Sequence, residues 1–178
     1  MKAPERIETA RLILHRPGPS DAEEIFSRYA SDADVTKFVG FRKHQTLDDT
    51  HAFLSYSESE WIRWPAGPFL IRARANNVLV GSSGLAFETP LRAMTGYVLA
   101  KDAWGKGYAT EALQGIVDIA GMIGVRRLYA LCHVEHRPSW RVLEKTGFLR
   151  EGILRSYLEF PNLSPDELAD VFCYALIL

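Results

Sequence analysis

The stretch from Thr95 to Val134 constrains the fold most. Thr95–Ala100 reads as a short strand, Gly107–Ile123 as a helix and Leu128–Val134 as an apolar strand. After Gly107 the apolar positions are Ala109, Ala112, Leu113, Ile116, Val117, Ala120 and Ile123, the spacing of one buried helical face. Gly124 suits the position just past the helix end. Strand, helix and strand in this order form a β-α-β unit. Its two strands should lie parallel in one sheet, joined by a right-handed crossover.

The flanking sequence favours antiparallel pairing. ARLILHRP (10–17) reads as a first strand, and Ser20 then looks like the cap of a short helix, with Glu23 reaching back and the helix running to about Tyr29. TLDD, from Thr46, opens a second helix that runs to Trp61 and is broken by RWPAGP. Phe69–Ala75 and Val78–Phe87 read as a hairpin turning at Asn76-Asn77. Pro138 suits the first turn of a further helix that Gly147 ends. Gly152–Glu159 and Asp170–Leu178 are the last strand pair. The fold class is therefore α/β (α+β): one domain spanning 1–178, with a mixed, mostly antiparallel sheet and helices on both faces.

Composition narrows the function classes. The chain has 178 residues, 47% of them hydrophobic, enough for one well-filled core. A formal net charge of -1 argues against a general nucleic-acid binder or a polybasic membrane anchor. No apolar run approaches the ~20 residues of a membrane span, and the N-terminus lacks the apolar stretch of a signal peptide. A soluble, cytoplasmic protein is the expectation. Cys132 and Cys173 both lie in apolar strands and read as free buried thiols.

The chemistry centres on WGKGYATEAL (104–113). A helix start has unpaired N–H groups and the positive end of the peptide dipoles. Gly105 and Gly107 would leave that backbone uncovered, and Lys106 adds a charge, so a pyrophosphate is the natural guest. The competing reading is a turn whose glycines only permit tight packing. No P-loop string exists here, and the dinucleotide fingerprint fails because Thr110 stands where a small residue is needed. The pattern [R/Q]-x-x-G-x-[G/A] fits from Gly107 onward, through Tyr108 and Ala109.

These residues resemble the GNAT superfamily of acyl-CoA N-acyltransferases, and most closely its RimJ/RimL branch. ETARLILHRP, NNVLVGSSGLAF, GYVLAKDAWGKGYATEAL, RPSWRVLEKTGFLREGILR and DVFCYALIL each resemble a segment of that branch, in the expected order over nearly the whole chain. The resemblance implies a splayed central parallel strand pair, with Val98, Leu99 and Ala100 offering backbone groups to the pantetheine amides. It implies acetyl-CoA as co-substrate, bound also by Trp104, Gly105, Lys106, Gly107, Tyr108, Ala109 and Thr110. No metal, nucleic acid or membrane is implied, and a homodimer is compatible with it. An N–H of the splayed strand would stabilise the thioester oxyanion. His136 stands where the family usually has Asn, and Met94-Thr95 stand where an acidic residue often precedes Gly-Tyr.

The resemblance implies transfer of an acetyl group to a primary amine, on a protein N-terminus or a small molecule, by direct attack in a ternary complex. The alternative is a sensor that holds acyl-CoA without turnover. By resemblance Ser139 lies beside the CoA sulfur and would protonate the leaving thiolate; its bland role is to cap the helix opened by Pro138. Glu88 is the first candidate for general base, set against a solvated strand-end charge. Glu135 and His136 are comparable. His133 follows Cys132, but alternate strand residues point to opposite faces, which disfavours a cysteine acyl-enzyme. Trp61, Trp64 and Phe69 would form an acceptor wall or plain core. Glu58 and Glu60 would attract a cationic acceptor or simply be solvated. Arg141 and Lys145 would meet a CoA phosphate or solvent.

Overall fold

The computed structural model describes all 178 residues. One eight-stranded sheet runs through the chain, in the order β1-β2-β3-β4-β5-β6-β8-β7. Its strands are β1 (Arg6–Glu8), β2 (Leu12–His15), β3 (Pro68–Ala73), β4 (Leu79–Thr89), β5 (Arg92–Leu99), β6 (Arg127–His133), β7 (Leu149–Glu159) and β8 (Leu168–Ile177). Every neighbouring pair is antiparallel except β5 and β6, which are parallel. The expected mixed sheet is thus present, with the β-α-β unit at its centre.

Five helices cover the sheet: α1 (Ala22–Ile25), α2 (Ala33–Thr36), α3 (Leu47–Arg63), α4 (Tyr108–Met122) and α5 (Arg137–Lys145). Alternation along the strands sorts the core onto two faces. Leu12, Leu14, Leu99, Leu128, Ala130 and Tyr174 pack with Ala112, Leu113 and Ile116 of α4 and Leu143 of α5. Leu70, Leu79 and Val98 pack on the other side with Ile25 of α1, Val35 of α2 and Leu54 of α3. Strands buried on both faces read as unbroken apolar runs, as VLV and FLI do here.

Local chemistry sets the boundaries. Thr46 caps α3 as expected, and the Asp49 carboxylate accepts its N–H at 3.0 Å. Gly124, at φ 88°, ends the turn after α4, with the Val125 N–H returning to Ala120 at 3.0 Å. The first helical segment differs from expectation. Ser20 is not its cap: the Asp21 carboxylate accepts the Gly18 N–H at 2.9 Å, and the chain enters through a 3-10 turn at Pro19–Asp21. The segment then leaves α1 through a π turn at Phe26–Ala30. Arg72 holds α1 to the sheet, bonding Asp21 at 2.9 Å and Glu24 at 2.7 Å. Two short elements had no sequence signal: β1, and α2, whose first turn is capped by Asp32.

Candidate active site

The parallel pair is joined only at its start. Arg92, Ala93 and Met94 pair with Arg127, Leu128 and Tyr129, and there the register ends, although β5 continues to Leu99 and β6 to His133. Beyond Met94 the edge of β5 that faces β6 is unpaired. Which residues offer their backbone there follows from alternation. The Ala100 N–H donates to the Val80 carbonyl at 2.9 Å, so it points towards β4. In an antiparallel strand successive residues turn their N–H and C=O to opposite sides. Val98 and Gly96 therefore also face β4, while Tyr97 and Leu99 face the gap. Of the three residues expected to meet pantetheine, only Leu99 presents its backbone to the gap; Val98 faces β4, and Ala100 donates its N–H to β4 while its carbonyl accepts the Ala103 N–H at 2.9 Å. The Leu99 carbonyl is itself taken, accepting the Trp104 indole N–H at 2.8 Å. Its N–H is what remains.

The glycine turn follows at once. Gly105 and Gly107 sit at φ 73° and 77°, a region costly for any residue with a Cβ. Gly107 is the N-cap of α4 and no side chain caps that end. The first intrahelical bond is Glu111 N–H to the Gly107 carbonyl, at 3.1 Å. The N–H groups of Tyr108, Ala109 and Thr110 therefore have no partner within the chain and converge at the positive end of the helix.

The turn is braced by a group that sequence reasoning missed. Arg11 donates from Nη1 to the Lys106 carbonyl at 2.9 Å and from Nε to Glu111 at 2.6 Å. Its guanidinium lies over the Tyr108 ring, 4.9 Å from the centroid. Burial disfavours the Glu111 carboxylate, but bonds from Thr9 and from the Arg11 backbone and side chain outweigh it and hold Glu111 below the usual carboxylate range. Arg11 and Lys106 against Glu111 leave one net positive charge at the helix start. A groove of about 830 Å³ runs from here along α4, lined by Arg11, Gly107, Thr110, Lys145 and Thr146 and also by Glu8, Glu111 and Asp118. Arg141 is exposed and does not line it.

Across the gap, Ser139 lies in the first turn of α5. His136, not Ser139, is the N-cap, so the capping role fails. Ser139 instead meets Tyr97: the phenol donates to the Ser139 carbonyl at 2.6 Å and lies 3.1 Å from its Oγ. Burial pushes the Tyr97 phenol well above its ordinary range, so it stays protonated.

The base candidates separate. Glu88 lies at the joined end of the strand pair, where it is ion-paired to Arg92 at 2.6 Å and accepts the Tyr129 hydroxyl. Arg92, beside it, stands four residues before Gly96, roughly 13 Å along the strand. The structure therefore does not bring Glu88 to the open gap, which widens towards the C-terminal strand ends. His136 does lie near that end, stacked on Phe38 at 4.5 Å. Burial, then the neighbouring His133, push its pKa down to about 4. His133 packs between Phe38 and Phe160 on the face opposite Cys132. Burial raises the Cys132 thiol to about 12 and also raises Cys173, leaving neither as a ready thiolate. Glu135 is exposed. Trp61 is core: it packs on Phe69 at 4.9 Å and donates to the Pro68 carbonyl at 2.8 Å. Trp64 stacks on Phe87 at 5.3 Å, and Glu58 lines a separate small cavity between α3 and the β2–α1 turn. No group of three or more His, Cys, Asp or Glu side chains is placed to hold a metal ion, and no helix is long and apolar enough to cross a membrane.

The splayed parallel pair ends in an uncapped, left-handed glycine turn, so an unpaired strand edge and a free helix N-terminus meet at one place in a mixed α/β sheet. Residues 11–149 match the Acetyltransferase (GNAT) domain, and the chain belongs to the GNAT acetyltransferase family. The uncharacterized N-acetyltransferase YoaA of Bacillus subtilis (strain 168) is 30% identical over 167 residues, covering 89% of this chain and 90% of that protein. A GNAT-family acetyltransferase from Bacillus anthracis superposes with a TM-score of 0.83 at 27% identity, over 97% of this chain and 98% of that one. RimL, a ribosomal L7/L12 alpha-N-protein acetyltransferase solved with coenzyme A, shares the fold, with a TM-score of 0.85 at 21% identity over 98% of each chain.

Proposed function

We propose that the 178 residues act as one N-acetyltransferase domain of RimJ/RimL type. It moves an acetyl group from acetyl-CoA to a primary amine by direct attack in a ternary complex. The observation that carries this reading is the set of unpartnered N–H groups at Tyr108, Ala109 and Thr110, next to an unpaired strand edge. The coenzyme A held by RimL, a protein of the same fold, supports it.

The diphosphate rests on the turn from Gly105 to Thr110, with Lys106 and Arg11 supplying charge. The nucleotide end follows the groove that Lys145 lines, a volume within the range of ligand sites. The Leu99 N–H bonds a pantetheine amide carbonyl, as one strand would bond another. The Tyr97 N–H lies two residues earlier, roughly 7 Å further in, where the thioester carbonyl falls. It donates to charge that appears only as the tetrahedral intermediate forms. Trp104 fixes the Leu99 peptide from the other end. Ser139, held by Tyr97, donates a hydrogen bond to the departing sulfur; a thiolate whose thiol titrates near ~8.5 leaves with little help and takes its proton from water.

The amine needs little activation when it is an α-amine, which titrates near ~7.7–8. A neutral fraction is then already present at pH 7, and water carries off the proton after attack. Glu135, which is exposed, and His136, with its pKa lowered to about 4, follow the open end of β6, and such an acceptor asks little of either. The assay is release of free CoA from acetyl-CoA across a panel of amines, including peptides with free N-termini. Release above the rate without enzyme is expected for at least one of them. Tight CoA binding with no release for any amine would favour the sensor instead.

A further inference from the structure

Gly96 is a glycine that the free protein does not require. Its φ lies outside the left-handed region, it sits in the middle of β5, and a Cβ built on it meets no heavy atom within 4 Å. Its partner across the ladder is different: a Cβ on Gly84 would fall 2.6 Å from the Pro68 Cα, so packing alone explains that residue. A glycine inside a strand costs roughly 0.5–1 kcal/mol relative to alanine, and at Gly96 nothing in the protein offsets that cost.

The direction of the missing side chain follows from its neighbours. The Tyr97 phenol reaches Ser139 on α5, whereas Val98 buries among the residues of α1, α2 and α3. Alternation puts Gly96 on the Val98 face, opposite α4 and α5. It is exposed, and it lies two residues beyond Met94, the last residue of β5 paired with β6. Half-buried Met94 and Leu131 share its face, and His133, with Phe38 and Phe160, stands at the far end.

The nucleotide arm of the thioester comes from the α4 and α5 face. The free space therefore lies on the other side of the acyl carbon, beside the Tyr97 N–H. We propose that Gly96 determines acceptor specificity. It forms the floor over which the amine enters, and its missing side chain accommodates the substituent of a branched α-carbon, as in a polypeptide N-terminus. Because the floor is open to solvent, the remainder of a long acceptor can extend away from the sheet. This inference rests on the acetyl-transfer reading above.

The test uses binding rather than turnover. Three ligands are titrated calorimetrically: CoA, and CoA joined through an S-acetyl linker to methylamine or to the N-terminus of Ser-Gly-Gly. The native protein is compared with Gly96→Ala and Gly96→Val, at a position where a Cβ meets no heavy atom within 4 Å. All three proteins should bind CoA within twofold of one another, and both variants should melt at or a few degrees above the native temperature, since each replaces a mid-strand glycine. Gly96→Val should lose at least tenfold in affinity for the tripeptide conjugate and less than threefold for the methylamine conjugate, with Gly96→Ala in between. Equal affinity of native protein and Gly96→Val for the tripeptide conjugate would overturn the proposal. So would a uniform loss across all three ligands, which would assign the space to the cofactor. A native protein that bound no CoA would overturn both this and the reading beneath it, and the first titration alone distinguishes that case.

Discussion

Gly107→Ala and Gly107→Glu separate what the turn does for the fold from what it does for a ligand. Both place a Cβ on a residue at φ 77°, which costs roughly 1–2 kcal/mol. The nearest atom to that carbon is Arg11 Nη2, at 3.4 Å, the end of a flexible side chain, so steric cost adds little. At about 2–4 °C per kcal/mol for a domain of this size, both variants should melt about 2–8 °C lower. Their ligand behaviour should diverge. Alanine leaves the N–H groups of Tyr108, Ala109 and Thr110 open, and CoA affinity should stay within about fivefold of native. Glutamate sets a carboxylate against the diphosphate. At ~5 Å in an effective dielectric of ~40 the repulsion is roughly 2 kcal/mol, or about 30-fold in affinity. Calorimetric titration with CoA, run well below both melting points, reads this difference. Native affinity in Gly107→Glu, or an equal loss in the alanine variant, would refute the argument.

Other perturbations test the surrounding parts. Ser139→Ala and Tyr97→Phe should each lower kcat about tenfold while CoA affinity stays within threefold; equal losses in both would assign these residues to cofactor binding. Arg11→Ala frees the Lys106 carbonyl and removes the cation facing Glu111, whose side chain is only 16% exposed. It should lower the melting point by several degrees and weaken CoA about tenfold, and Arg11→Lys should not rescue it, lacking the planar fork. His136 resists protonation when folded, with a pKa near 4 against an ordinary 6.5. The unfolded chain therefore binds the extra proton first, and stability falls as pH drops from about 6.5 to 4. Partial solvent contact limits the effect to on the order of 1 kcal/mol. His136→Gln should flatten this part of the stability profile, and an unchanged slope would show that other groups produce it.

Much of the fold was legible because its signals are local. Gly107, the apolar stripe from Ala109 to Ala120, and Gly124 bracket α4 almost to the residue. β1 and α2 are three and four residues long, too short for any periodicity to register, and tertiary contacts decide them. Ser20 looked like a helix cap because Ser and Glu stand three apart. Pro19 and Asp21 instead close a tighter turn on Gly18, which pattern alone does not predict.

The site divides in the same way. The glycine turn is a local motif and was readable. Arg11 and Glu111 are a hundred residues apart, and Tyr97 and Ser139 forty-two, so nothing along the chain couples them. Glu88 reads as a base candidate because its place at a strand end does not say which end of the strand pair opens. The gap lies towards the C-terminal ends of β5 and β6, and Glu88 sits by their start.

The most direct test follows the backbone amides themselves. In a nitrogen–proton correlation spectrum of the labelled protein, added CoA should shift the signals of Leu99, Gly107, Tyr108, Ala109 and Thr110 in one saturable process, while Val98 and Ala100 move much less. Saturable binding that leaves the amides of residues 107–110 unmoved, or no binding at all, would contradict the account.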